Sequence, residues 1–127
     1  MGLHVLIVED EAIVSYEMQL ILEEYGHRVI GIASRGEDAV DLVKRKVPDL
    51  VLMDLRLAGQ WDGASTAITL RSDLEQEVPT VFVTAWPLYK IPKLSHSAVL
   101  RKPFSRGDLI RAIERAFAET PQLSAAH

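Results

Sequence analysis

Glu9, Asp10, Asp54, Thr84 and Lys102 each stand at or just past the end of a short apolar run. Glu9-Asp10-Glu11 stops the run Leu3-His4-Val5-Leu6-Ile7-Val8, Asp54 stops Leu50-Val51-Leu52-Met53, and Thr84 closes Thr80-Val81-Phe82-Val83. Lys102 comes shortly after Ala98-Val99-Leu100. If these runs are adjacent strands, three carboxylates converge in a small volume, where mutual repulsion raises their pKa values unless a cation neutralises them. An all-oxygen donor set of few carboxylates suits a hard divalent ion, and Mg²⁺ held by carboxylates, waters and a phosphoryl group is the usual case. Thr84 adds a hydroxyl donor and Lys102 a mobile positive charge, both suited to gripping phosphoryl oxygens. The constellation reads as metal-assisted phosphoryl chemistry.

The elements that must position these residues follow from periodicity. From Ala12 the apolar residues Val14, Met18, Ile21, Leu22 and Tyr25 recur on one helical face and Gly26 follows as a C′ residue, which predicts a helix over about 12–25. Arg28 to Ala33 carries β-branched residues and reads as a strand, and Ala39, Val40 and Val43 mark a helix that ends before Pro48. After Asp54 comes a loop with Gly59 and Gly63, in which Asp62-Gly63 reads as a turn and helix start. The helix that follows carries Ala64, Ala67, Ile68 and Leu70, and Pro79 leads into the fourth apolar run. Pro87 and Pro92 interrupt the stretch 85–96, so a loop or a short broken helix is expected there. Ser105 caps a last helix with Leu109, Ile113, Ala116 and Phe117 on its apolar face, and Thr120-Pro121 ends it.

Short apolar strands alternating with helices predict an α/β fold, a parallel sheet covered on both faces. The length suits a flavodoxin-like, doubly wound, five-stranded sheet of order 2-1-3-4-5. In such sheets ligands bind outside the carboxyl ends of the strands, where the order reverses. Glu9, Asp10, Asp54, Thr84 and Lys102 all map to that edge.

Composition narrows the classes further. The chain has 127 residues, 48% hydrophobic and 25% charged, enough for one domain with a real core. Lys and Arg total 14 against 18 Asp and Glu, a net charge of −4, which argues against a surface built to neutralise nucleic-acid phosphates. The absence of cysteine excludes disulfides, thiol nucleophiles and zinc–thiolate sites, and fits a cytoplasmic location. No apolar stretch reaches the roughly 18 residues of a membrane span, and the N-terminus lacks signal-peptide features. His4, His27, His96 and His127 are scattered without metal spacing and read as structural or exposed. Glu11 reads as a solvated loop acid, and Trp61, Trp86 and Tyr89 as packing or partner-contact residues.

The motifs Val8-Glu9-Asp10-Glu11, Leu52-Met53-Asp54-Leu55, Asp62-Gly63, Val83-Thr84-Ala85 and Leu100-Arg101-Lys102-Pro103-Phe104, in that order at strand ends, resemble the receiver domain of response regulators in two-component signalling. The resemblance covers residues 3–119. It implies that Asp54 is the phosphoacceptor, and that Asp10, Asp54 and the backbone carbonyl of Arg56 ligate Mg²⁺ directly, with Glu9 acting through water. It also implies that Thr84 and Lys102 bind the phosphoryl group and that the Lys102–Pro103 peptide is cis. The phosphodonor would be a sensor histidine kinase or a histidine phosphotransfer protein. The expected organisation is a receiver domain over 1–119 with a short tail over 120–127 and no output domain, acting as a monomer or weak homodimer. It would signal by protein contact, phosphorelay or as a phosphate sink, without turnover catalysis, membrane attachment or nucleic-acid binding.

The chain departs from the family pattern at several points. Val99 stands where most receivers carry Tyr or Phe, and the segment between Thr84 and Lys102 is short, so the fourth helix is expected to be reduced or absent. Trp86 or Tyr89 is the expected substitute for the missing switch aromatic. Ala58 occupies a position where many receivers place Pro, with Gly59-Gln60-Trp61 lengthening the loop. Two alternatives stay open. One is a receiver fold serving as an unphosphorylated interaction module. The other is a Mg²⁺-dependent phosphatase with an Asp nucleophile, which Arg56 disfavours because such enzymes place a second acid there.

Overall fold

In the computed structural model the described residues are 2–85 and 91–118. The elements run β1 (His4–Val8), α1 (Ala12–Glu24), β2 (Arg28–Ala33), α2 (Gly36–Arg45), β3 (Leu50–Asp54), α3 (Gly63–Leu74), β4 (Thr80–Thr84), β5 (Ser97–Arg101) and α4 (Arg106–Ala118). The five strands form one sheet in the order β2-β1-β3-β4-β5, with every neighbouring pair parallel. Among the described residues no helix lies between β4 and β5, in accord with the two prolines of that connection. Trp86 and Tyr89, the expected substitute aromatics, lie outside the described residues.

Side chains that alternate along the strands build a core on each face of the sheet. Val5, Ile7, Leu50, Leu52, Val81 and Val83 meet Met18 and Leu22 of α1 and Leu109, Ala112, Ile113 and Ala116 of α4. Leu6, Val8, Val51, Met53 and Phe82 meet Ala39 and Val43 of α2 and Ala67 and Leu70 of α3. β3 and β4 are buried along their whole length, which explains why their sequences run apolar without alternation. Tyr25, Ile68 and Phe117, read as core-facing from periodicity, are 48%, 51% and 40% exposed. Each sits beside the buried line of its helix: Ile68 next to Ala67, Phe117 next to Ala116, and Tyr25 at the cap, where α1 has already ended.

Local chemistry fixes where the helices stop and start. Gly26 has φ of +85° and its N–H donates to the Glu23 carbonyl while the His27 N–H donates to Leu22, the paired bonds of a left-handed C-cap that turns the chain into β2. Ser105 and Asp108 bond reciprocally, Asp108 N–H to Ser105 Oγ at 3.0 Å and Ser105 N–H to Asp108 Oδ2 at 2.9 Å, a capping box that starts α4. These bonds and the Arg111 guanidinium hold the Asp108 carboxyl below its ordinary range. Asp62 caps α3 by accepting the Ser65 N–H at 2.8 Å. The loop with Ala58 is tied down by a parallel bridge from Ala58 to Arg35, and Trp61 packs against the core on the α2–α3 face.

Candidate functional site

The sheet ladder continues past the strands and sets the site. The Glu9 N–H donates to the Ala33 carbonyl at 2.8 Å, the Leu55 N–H to Val83 at 3.1 Å, and the Lys102 N–H to Thr84 at 2.7 Å. Glu9, Asp54 and Lys102 therefore leave β1, β3 and β5 at the same edge of the sheet, with β4 between the last two, although Lys102 is far from Glu9 in sequence. Asp10, Glu11, Asp54, Arg56, Ala85 and Lys102 line a cleft of about 260 Å³ at this edge.

Two short turns aim the carboxylates. Asp54 Oδ1 accepts the Arg56 N–H at 3.0 Å, and Glu9 Oε2 accepts the Glu11 N–H at 3.1 Å, each side chain bonding the backbone two residues on. From the other side α3 presses against the end of β3. The Gly63 N–H donates to the Leu55 carbonyl, and a Cβ at position 63 would collide with the carbonyl of Asp54. This close approach is why the Asp62-Gly63 pair belongs to the site as well as to the start of a helix.

The Lys102 ammonium is the hub. It lies 3.1 Å from Glu9 Oε1, 3.1 Å from Asp54 Oδ2 and 3.2 Å from Glu11 Oε1. Glu9 and Asp54 are buried, whereas Glu11 is exposed. Burial pushes the Glu9 carboxyl from its ordinary 4.5 up to about 8, reinforced by the neighbouring Asp54 carboxyl and opposed by bonds from the Glu11 amide and Lys102. Burial pulls the Lys102 ammonium down, but its bonds to Glu9 and Asp54 and their charges outweigh that and leave its pKa above the ordinary lysine value. The cation that first neutralises these acids is thus the chain's own lysine.

The residues also fit a divalent ion. Glu9, Asp10 and Asp54 each offer a carboxylate oxygen within 4.8 Å of the others, and Glu9 Oε1 is buried and ion-paired to Lys102 without an aligned hydrogen bond. Three converging carboxylates in a cysteine-free, oxygen-only environment match the donor preferences of Mg²⁺. Thr84 is buried at the end of β4 with its hydroxyl donating to the Ala85 carbonyl at 3.0 Å. The Lys102–Pro103 peptide is cis.

Sequence reasoning missed Glu11. Its side chain reaches Lys102, a partner 91 residues away, and is not the merely solvated acid it resembles in sequence. The signal lay in its position: Glu11 is the N-cap of α1, a place that favours Ser, Thr, Asp or Asn, and its side chain makes no capping bond. Val99, which replaces the expected aromatic, sits in mid-β5, and its carbonyl accepts a bond from Arg115 of α4 at 3.1 Å.

Comparison with known proteins points to one family. The response regulator receiver domain matches residues 5–114. The chain is 35% identical over 125 residues to the transcriptional regulatory protein PdtaR of Mycobacterium tuberculosis, covering 95% of this chain and 60% of that protein. It is 31% identical over 133 residues to the phyllosphere-induced regulator PhyR of Methylorubrum extorquens, covering all of this chain and 49% of that protein. The chain thus spans about half to three-fifths of the length of these curated relatives. Among solved structures, the signal receiver domain of a modulated diguanylate cyclase from Desulfovibrio desulfuricans superposes with a TM-score of 0.78 at 30% identity, covering 93% of this chain and 95% of that one. The PhyR receiver domain of Erythrobacter litoralis gives 0.79 at 27% identity, covering 92% and 91%. Among the described residues no helix is long and apolar enough to cross a membrane. By sequence match, strand order and strand-end residues together, the chain belongs to the response regulator receiver domain family.

Proposed function

We propose that this chain accepts a phosphoryl group on Asp54 from a phosphohistidine of a sensor kinase or histidine phosphotransfer protein and passes the signal on by protein contact. The observation that carries this reading is the pairing of buried Asp54 with Lys102 at 3.1 Å on the floor of an open cleft. Asp10, Asp54 and the carbonyl of Arg56 would hold Mg²⁺, with Glu9 acting through water. When bound, the ion supplies charge neutralisation between the acidic cluster and an incoming phosphoryl group.

The chain's own residues account for the rest. A carboxylate is a weak nucleophile, so the transfer depends on positioning and charge stabilisation. The Arg56 amide bond at Oδ1 and the Lys102 bond at Oδ2 fix the plane of the Asp54 carboxylate. An Asp54 oxygen forms a bond to phosphorus while the bond from phosphorus to the donor imidazole breaks, its electron pair staying on the imidazole nitrogen. Lys102 pairs with the phosphoryl oxygens, offsetting the negative charge gained at position 54. Thr84 trades its bond to the Ala85 carbonyl for one to the phosphoryl group, which biases the surface at the fourth and fifth strands between two arrangements. Trp86 or Tyr89 reports that change in place of Val99.

Output through protein contact fits the charge balance and the relatives, one of which is described as the anti-anti-sigma factor PhyR of Bartonella quintana. A phosphorelay or sink role uses the same chemistry, and the chain acts as a monomer or weak dimer. The reading is tested by intact-protein mass after incubation with a small acyl phosphate, with and without Mg²⁺. A single Mg²⁺-dependent phosphate adduct that disappears in Asp54→Asn is expected. Donor consumption with no adduct in a phosphate-trapping quench would point to turnover catalysis instead.

A further inference from the structure

We infer that Glu11 is a positioning residue that latches Lys102 in the resting state and must release it for phosphorylation. This rests on Asp54 being the phosphoacceptor. A lysine ammonium has three donors, and in this structure carboxylates of Glu9, Asp54 and Glu11 surround it at hydrogen-bond distance. No donor is left for a phosphoryl oxygen, so one contact has to open when the phosphoryl group arrives. The contacts are not equivalent. Glu9 and Asp54 are buried and would be left desolvated by losing the ammonium, whereas the Glu11 side chain is 64% exposed and exchanges Lys102 for water at little cost.

Two further features separate this role from that of an ordinary helix-start acid. A glutamate at the N-cap does favour the helix dipole. Yet its side chain makes no capping bond and instead crosses the mouth of the cleft to a residue of the β5–α4 connection. Glu11 also lines the cleft into which the phosphoryl group must pass, so its charge opposes an anion there while its contact draws Lys102 toward the rim. On phosphorylation both effects reverse in favour of release: the phosphoryl oxygens outbid a single exposed carboxylate for the ammonium.

The test uses Glu11→Gln in the full chain with a small acyl phosphate and Mg²⁺, following the phosphate adduct on Asp54 by intact mass at saturating donor. Releasing one charge-assisted contact predicts a limiting rate roughly threefold to tenfold above that of the parent chain. At saturating donor general repulsion of the anion no longer limits the rate, and the gain shrinks at about 1 M salt, where a Debye length of about 3 Å weakens the exposed pair of the parent chain itself. The ¹⁵N-edited signal of the Lys102 ammonium also shifts in the unphosphorylated variant. An unchanged or slower limiting rate, or an unmoved Lys102 signal, would overturn the latch. If the parent chain itself acquires no phosphate on Asp54, the underlying phosphoacceptor reading falls, and the latch with it.

Discussion

The two ends of the same sheet treat polar groups in opposite ways. At the amino ends of the strands side chains and backbone bond one another: His4 N–H donates to Asp49 Oδ2 at 2.8 Å while Asp49 N–H returns a bond to the His4 carbonyl at 2.7 Å. There too Leu3 N–H donates to His27 Nδ1 at 3.1 Å, and the Thr80 hydroxyl donates to the Val78 carbonyl at 3.0 Å. At the carboxyl ends, three acids share one lysine, and two of those acids are buried. One end is arranged for stability. The other is held short of satisfaction, the arrangement expected where an anion and a cation are to arrive.

The largest effect that sharpens this contrast comes from removing the hub. Lys102→Met leaves Glu9 and Asp54 buried without their cation and should lower stability by about 3 kcal/mol in Mg²⁺-free buffer, read from urea unfolding. Glu9→Gln, which removes one of the crowded charges, should leave the midpoint unchanged or raised. A Glu9→Gln variant as unstable as Lys102→Met would show the acid cluster to be a stabilising network and erase the distinction between the ends.

Next in size is the close approach of α3 to the end of β3. Gly63→Ala forces a methyl group against the Asp54 carbonyl and should cost about 2 kcal/mol, the usual penalty for overpacking, while slowing the appearance of any Asp54 adduct. A wild-type midpoint would mean that the helix start yields freely.

The smallest effect belongs to the amino end. Burial holds the His27 imidazole below its ordinary 6.5, and the neutral ring accepts the Leu3 N–H. A depressed histidine contributes stability that is present above the unfolded value of 6.5 and is lost as pH falls through the lower folded value. The melting temperature should therefore decline on going below about pH 6.5, and His27→Gln, which keeps an acceptor without a titrating ring, should flatten that decline. Identical profiles would remove His27 from the account.

Much of this contrast was legible in the sequence, for a physical reason. Fully buried parallel strands must be apolar throughout, so their ends show as the first polar residue, and β1, β3 and β4 announced both themselves and Glu9, Asp54 and Thr84. Gly26 and Ser105 marked helix boundaries because only certain residues satisfy those backbone groups. What escaped was anything set by rotation or by long-range pairing. Tyr25, Ile68 and Phe117 are apolar and close to the right spacing, yet sit at a flank or past a cap. Glu11 is indistinguishable from a solvated acid until β5 delivers Lys102 beside it.

The central claim is that Asp54 carries the phosphoryl group. It is tested most directly by reducing the phosphorylated chain with borohydride and mapping the modified peptide, since an acyl phosphate on aspartate is converted to homoserine. The account predicts homoserine at position 54 alone, formed only when Mg²⁺ was present during phosphorylation. Modification at Asp10 or Glu9, or a reduction-resistant phosphate on a histidine, would contradict it.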